Sequence, residues 1–341
     1  MKSKKLFNPQ GKDENRKIIG ADITNLFNFN NVKYDWASKM YRTMMENFWL
    51  PEKISLQEDV LSYKNLTPEE KQAYDGILSF LVFLDSIQAN NVSFISNYVT
   101  APEINLLLII QTYQEAIHSQ SYGYLIETVI PKSHRAEIYE LWREDNILFE
   151  RNKIIAQSFQ DFRDNPNLDN FKRVLINNYL LEGLYFYNGF AFFYLLASRN
   201  HVMGTADMIK YINRDELTHV SIFRNIINIL KLENNLFNDK EIIDAVKEAV
   251  ESEINWSLHI MGEKILGITP ATIKQYTEYR ANLLLAGLGI EKIYKNSIKS
   301  PYPNIEKIAD LAGDGEVKAN FFEAKVTSYN QSSVVRNWED F

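Results

Sequence analysis

Two stretches of this chain are apolar around almost their whole helical circumference, and each carries a single acid. In Leu81-Val82-Phe83-Leu84-Asp85-Ser86-Ile87 the acid is Asp85; in Tyr179-Leu180-Leu181-Glu182-Gly183-Leu184-Tyr185-Phe186 it is Glu182. A helix that is apolar on most sides is covered on most sides, so both segments belong in a bundle interior. An ionised carboxylate carried into that interior is prohibitive unless positive charge stands beside it. The pattern therefore asks for an all-α bundle with charge at its centre and for partners that compensate this charge.

Helix start signals punctuate the chain. Leu66-Thr67-Pro68-Glu69-Glu70 offers Thr as N-cap, Pro at the first helical position and Glu at the third. Thr100-Ala101-Pro102-Glu103 gives a similar signal, as do Asn238-Asp239-Lys240-Glu241 and Thr269-Pro270. Hydrophobic spacing predicts helices over 34–49, from 68 to about 98, from 102 to about 129, 133–143, 145–163, 170–197 and 203–232, then from 238, and from 270 to about 289. No period-two alternation competes. Residues 1–33 are polar and predict an N-terminal arm, residues 34–298 one helical bundle, and residues 299–341, with Pro301, Pro303, Gly313 and Gly315 at their start, a flexible tail.

Composition narrows the chemistry. Cys is absent, which removes disulfides, thiolate metal sites and Cys nucleophiles and fits a reducing cytosol. The net charge is -7 with acids and bases interspersed, so no basic face argues for nucleic acid or an anionic membrane. The lysines near Met1 have no apolar run behind them, unlike a secretory signal, and the apolar runs read as too short to span a membrane. A cytoplasmic, acidic, soluble protein is expected.

The compensating partners are visible as a repeated pair. Glu115-Ala116-Ile117-His118 and Glu216-Leu217-Thr218-His219 each put a carboxylate and an imidazole one turn apart on one helical face, in a chain with 5 His. One such pair alone is usually solvated, a lone core acid is usually just hydrogen-bonded, and a lone Tyr such as Tyr122 is usually a packed ring. The order Asp, Glu-x-x-His, Glu, Glu-x-x-His on four long apolar helices fits the pattern of di-iron and di-manganese carboxylate bundles. Four carboxylates can hold and offset two divalent ions, and oxygen donors with one imidazole per ion suit iron or manganese. Tyr122, four residues past His118, falls on the same helical face.

These residues resemble a known family, the small radical-generating β subunit of class I ribonucleotide reductase. The resemblance rests on Leu84-Asp85-Ser86-Ile87-Gln88, Glu115 to Tyr122, and Ile212-Asn213-Arg214-Asp215-Glu216-Leu217-Thr218-His219. It implies a ferritin-like fold in which Asp85, Glu115, His118, Glu182, Glu216 and His219 ligate two metal ions, Fe or Mn. It implies that Tyr122 is oxidised to a tyrosyl radical; a Tyr here is unlike the subgroup that keeps its oxidant on a Mn/Fe centre, and the full ligand set is unlike the metal-free variant. Phe48-Trp49-Leu50-Pro51-Glu52 resembles the segment whose Trp lies on the radical-transfer route, and Asp215 matches the acid linking that Trp to His118. Phe186 and Phe190 would wall the radical, while Gly189 is a departure on the Glu182 helix. In the tail, Tyr329 matches the mobile Tyr that passes the radical on, with Glu323 upstream, and Asn337-Trp338-Glu339-Asp340-Phe341 resembles a docking peptide.

The resemblance further implies a large α catalytic subunit as partner, a homodimer, and an activase or reductant protein, with no nucleic acid or membrane. Nothing in the sequence forms a nucleotide phosphate loop. A dinuclear oxidase of a small apolar substrate would share the ligands but needs neither Tyr122 nor a docking tail. A ferritin-like metal store fits the aromatic shell poorly, and a non-enzymatic scaffold leaves the buried acids unexplained.

Overall fold

The structure, a computed structural model, describes residues 1–303. Among these, eleven α-helices are joined by short loops: α1 (Asp35–Glu46), α2 (Gln57–Asn65), α3 (Pro68–Ser96), α4 (Pro102–Val129), α5 (Arg135–Glu144), α6 (Asn146–Asp164), α7 (Leu168–Leu180), α8 (Tyr187–Ser198), α9 (Met203–Asn234), α10 (Asp239–Met261) and α11 (Pro270–Gly287). Helices α3 and α4 pack along most of their length, α9 lies against α4, α7 and α8, and Phe80 and Gln88 of α3 reach Phe186 and Asn178 to close the ring. α3 and the run Leu168–Ser198 are long and apolar enough to cross a membrane, contrary to the reading of the runs as too short. Of their most apolar windows, 56% and 89% are buried inside the bundle, so core packing accounts for the hydropathy.

The helix starts follow local chemistry in most places. Thr67 and Glu70 form a reciprocal capping box, the Thr67 hydroxyl accepting from the Glu70 amide at 3.2 Å and Glu70 accepting from the Thr67 amide at 3.1 Å. Asn238 with Glu241, and Thr269 with Thr272, cap α10 and α11 in the same manner. α4 begins at Pro102, as the signal at Thr100 predicts, but without a side-chain cap. Ala101 is the N-cap of α4, and the Thr100 hydroxyl instead donates to the Lys17 carbonyl at 2.8 Å. Glu103 is likewise diverted, accepting the Lys33 and Tyr34 amides at 3.0 Å each. Both residues tie the N-terminal segment down. Ile18, Ile19 and Ile23 of that segment are buried, and Ile19 bridges to Val99.

Two features departed from the spacing. The short helix α2 has no capping side chain of its own and a weak periodic pattern, so it was not foreseen. Its buried Asp59 serves α9 instead, accepting from the Gly204 and Thr205 amides at 3.0 and 2.6 Å, which offsets the left-handed backbone of Val202 (φ 44°) before it. The expected single helix over 170–197 is broken at Leu181–Tyr185, where the backbone widens into one π-turn. Glu182 sits in that turn. A Cβ on Gly183 would come to 2.5 Å from the Leu284 side chain on α11, so a larger residue there would require Leu284 to shift. Gly189 one turn later is also a close approach, at 2.9 Å from Ile77.

Candidate metal centre

The six ligand candidates arrive from four backbone elements: Asp85 on α3, Glu115 and His118 on α4, Glu182 on the π-turn, Glu216 and His219 on α9. All six are fully buried. Their donor atoms form two groups, Asp85–Glu115–His118–Glu216 and Glu115–Glu182–Glu216–His219, each with donor atoms within 4.8 Å of one another. That spread accommodates a common ion at about 2 Å from each donor. Glu115 and Glu216 belong to both groups, while Asp85 and Glu182 belong to one each.

Distances support this sorting. His118 Nδ1 lies 3.0 Å from Glu216, 3.7 Å from Glu115 and 3.9 Å from Asp85. His219 Nδ1 lies 2.7 Å from Glu216, 3.2 Å from Glu115 and 3.8 Å from Glu182. Each imidazole thus turns Nδ1 inward, and its Nε2 faces an acceptor, Asp215 at 3.3 Å for His118 and Gln114 at 3.0 Å for His219. An N–H donated outward leaves the inward nitrogen with its lone pair free to ligate.

The donor set fits a pair of divalent cations. Both carboxylate oxygens of Asp85, one oxygen each of Glu115, Glu182 and Glu216, and His118 Nδ1 are buried without a hydrogen-bond partner, since the 3.0 Å approach of Nδ1 to Glu216 lacks hydrogen-bond alignment. Orphaned buried acceptors are costly, and a cation between them removes that cost. Two ions of charge two match four carboxylates in number of charges. Without cations the cluster holds protons instead. Burial and the Glu216 and Glu115 charges push the Asp85 carboxyl well above the ordinary range, and burial with Glu115 and Glu216 does the same to Glu182. Against the cost of burial, the neighbouring carboxylates raise both imidazoles, while the two imidazoles hold Glu216 low.

Beyond the ligands stands a shell of side-chain amides that sequence reasoning did not assign a role. Gln88 Nε2 donates to Glu182 at 2.5 Å and to Asn178 at 2.7 Å. Gln111 Nε2 donates to Glu115 at 3.1 Å and Glu182 at 3.3 Å. The helical spacing Gln111/Glu115 and Asn178/Glu182, four residues each, is the signal that could have found them.

Tyr122 lies in the same interior, fully buried; its hydroxyl meets no partner in full hydrogen-bond geometry, and the Asp85 carboxylate is close enough to act on it. Burial first, then the Asp85, Glu216 and Glu115 carboxylates, raise its pKa far above that of a free phenol. Trp49 is buried, and its Nε1–H donates to Asp215 Oδ2 at 2.8 Å, the same oxygen that faces His118 Nε2. Arg214 grips the other oxygen of Asp215 at 3.1 Å and donates to the Asn47 carbonyl at 2.6 Å. Against burial, Arg214, His118 and Trp49 hold the Asp215 carboxylate below the usual range, so it stays anionic. Phe186 and Phe190 are buried, their rings stacked with centroids 5.8 Å apart. Tyr329, Glu323 and the 337–341 peptide lie outside the described residues.

Comparison with known proteins identifies the family of this bundle. The family described as "Ribonucleotide reductase, small chain" matches residues 26–301. The chain is 43% identical over 336 residues to the ribonucleoside-diphosphate reductase subunit beta of Treponema pallidum, covering 97% of this chain and 95% of that protein. The ribonucleotide reductase R2 subunit from Clostridium botulinum superposes with a TM-score of 0.88 at 44% identity, covering 91% of this chain and 99% of that one. The dimanganese(II)-NrdF of Streptococcus sanguinis shares the fold, with a TM-score of 0.70 at 22% identity, covering 79% of this chain and 94% of that one. A match over most of the length, on a bundle whose centre gathers paired acids and histidines, has one family behind it: this chain belongs to the ribonucleotide reductase small chains, the radical-generating β subunits of ribonucleoside-diphosphate reductase, which pair with an α subunit.

Proposed function

We propose that this subunit holds two ions of iron or manganese between Asp85, Glu115, His118, Glu182, Glu216 and His219, and that Tyr122 is the side chain it oxidises. The observation that carries the reading is the pair of donor groups sharing Glu115 and Glu216. When bound, and once raised above the divalent state by an external oxidant such as dioxygen, the ions would supply the oxidising power that takes an electron from a phenol. The oxygen-rich donor set in a chain without Cys suits either metal.

The remaining steps belong to the chain's own residues. Tyr122 keeps its proton at neutral pH, so losing an electron requires handing that proton from its hydroxyl to a neighbour. Asp85 is the terminal carboxylate with oxygens free of hydrogen bonds, and it is the acceptor. Phe186 and Phe190 keep water and reductants from the radical. Asp215, held anionic, ties the Trp49 indole to the His118 ring, so a proton on Trp49 Nε1 can follow an electron leaving that ring. Tyr329 and the docking tail within 299–341 carry the radical to the α subunit, residues 34–298 form the bundle that generates it, and two copies of the chain form a dimer.

Two measurements test this. Titration of chelator-treated protein with ferrous or manganous ion should end at two per chain and release protons, because Asp85, Glu182 and both imidazoles hold protons that the ions displace. Affinity should therefore rise with pH across the neutral range. A single ion per chain, or an affinity indifferent to pH, would sink the ligand assignment. Replacement of Asp215 by Asn keeps its shape but removes the anion between Trp49 and His118. Turnover with the α subunit is expected to fall about 10–100-fold or more while both ions still bind. Wild-type turnover in that variant would remove Asp215 from the route.

A further inference from the structure

Two fully enclosed arginines have no part in this radical chemistry, yet both point at the π-turn that carries Glu182. Arg280 on α11 is 2% exposed and donates through Nε and Nη2 to the Gly183 carbonyl, each at 3.2 Å. Its guanidinium lies 3.4 Å from the centroid of the Tyr187 ring. Arg151 on α6 is 2% exposed and donates through Nη2 to the Tyr185 carbonyl at 2.8 Å. It stacks over Phe80 at 3.7 Å and is paired with buried Glu253, Nε to Oε2 3.0 Å. Glu253 is fixed in turn by Asn188 and Ser257 at 3.0 and 3.1 Å.

Burying a guanidinium is expensive, and here both are spent on main-chain carbonyls of one turn. A π-turn tilts carbonyls out of the regular helical ladder, and those oxygens need donors when no water reaches them. Without outside support a π-turn tends to relax into regular helix. Losing the extra residue would rotate α8 by about 100° relative to α7. Glu182 would then leave Gln88, Gln111 and His219, whereas Asp85, on another helix, would not move.

We propose that Arg280 and the Arg151–Glu253 pair are positioning residues for the Glu182 end of the metal centre, holding the π-turn open so that this carboxylate meets the ions. The inference rests on the two-ion reading under Proposed function. It assigns the arginines to the Glu115–Glu182–Glu216–His219 group and not to the Asp85 group.

The test uses the full chain with Arg280→Met, Arg280→Lys and the double replacement Arg151→Met with Glu253→Gln. Hydrogen exchange of chelator-treated protein should accelerate across residues 181–187 in the Met variants. Metal titration should show about a 10–100-fold loss of affinity for one ion of the two, with the other unchanged. Arg280→Lys, which keeps the charge and one donor, should recover part of that loss. Unchanged exchange in the turn overturns the proposal, and so does an equal loss at both ions, which would mean the arginines only support the fold. If Arg280→Met does not fold, the Lys variant is decided by the same split between the two ions. If wild type binds fewer than two ions, the two-ion reading fails, and the exchange result alone still judges whether the arginines hold the turn.

Discussion

Chelator-treated Tyr122→Phe protein, reloaded with metal and oxidised, is expected to take up both ions with wild-type affinity and to show no tyrosyl signal by electron paramagnetic resonance. Deoxyribonucleotide formation with the matching α subunit should fall to background. The reasoning is local. Tyr122 is not among the six proposed ligands, whose four carboxylates and two imidazoles already supply donors for both ions, so its loss is expected to remove none. Its ring is wholly buried, and Phe fills nearly the same volume. The hydroxyl meets no partner in full hydrogen-bond geometry. Deleting a buried hydroxyl without such a bond should change stability by less than about 1 kcal/mol and can even stabilise. The variant therefore separates chemistry from folding. A tyrosyl signal that survives in Tyr122→Phe would place the radical on another of the 19 tyrosines.

The second large effect concerns the shared carboxylates. Glu216→Gln and Glu115→Gln keep side-chain volume but replace an anion common to both donor groups by a neutral amide, and on the proposed two-ion reading each is expected to weaken both ions together. Asp85→Asn removes a terminal ligand and should weaken one ion while the other binds nearly as before. Thermal unfolding reads the difference. An ion at a hundred times its dissociation constant stabilises by about 2.7 kcal/mol, so wild type should gain on metal addition, Asp85→Asn should gain about half as much, and Glu216→Gln little. If Asp85→Asn and Glu216→Gln lose the same amount, the shared and terminal roles drawn from the two donor groups are wrong.

Much of the site was legible in the order of residues alone. Asp85 and Glu182 stood out because a lone acid in an apolar helix has to be compensated. The two Glu-x-x-His pairs stood out because three residues apart is one helical face. The capping box at Thr67 was equally plain, since its two hydrogen bonds are made within four residues. The similar signal at Thr100 also marks a helix start, at Pro102, but Thr100 does not cap that helix. Its hydroxyl found the Lys17 carbonyl, far away in sequence, and no local rule anticipates that competition. α2 escaped notice because it is short and uncapped, and its purpose, Asp59 against the start of α9, is also long-range.

By itself the sequence determined the all-α class, the six ligand candidates and Tyr122 on their helical face, because periodicity and charge burial act over one or two turns; the link between Trp49 and Asp215 came only from the family resemblance, and the fold joins them at 2.8 Å. The tertiary structure alone decided that Glu115 and Glu216 stand in both donor groups and Asp85 and Glu182 in one each. It also decided that His118 and His219 turn Nδ1 inward, that Gln88, Gln111 and Gln114 brace the ligands, and that a π-turn held against α11 presents Glu182. Each of these depends on the separation of atoms from different helices, and that separation is set by how Gly183 meets Leu284 and how α3, α4 and α9 pack, which no single segment encodes.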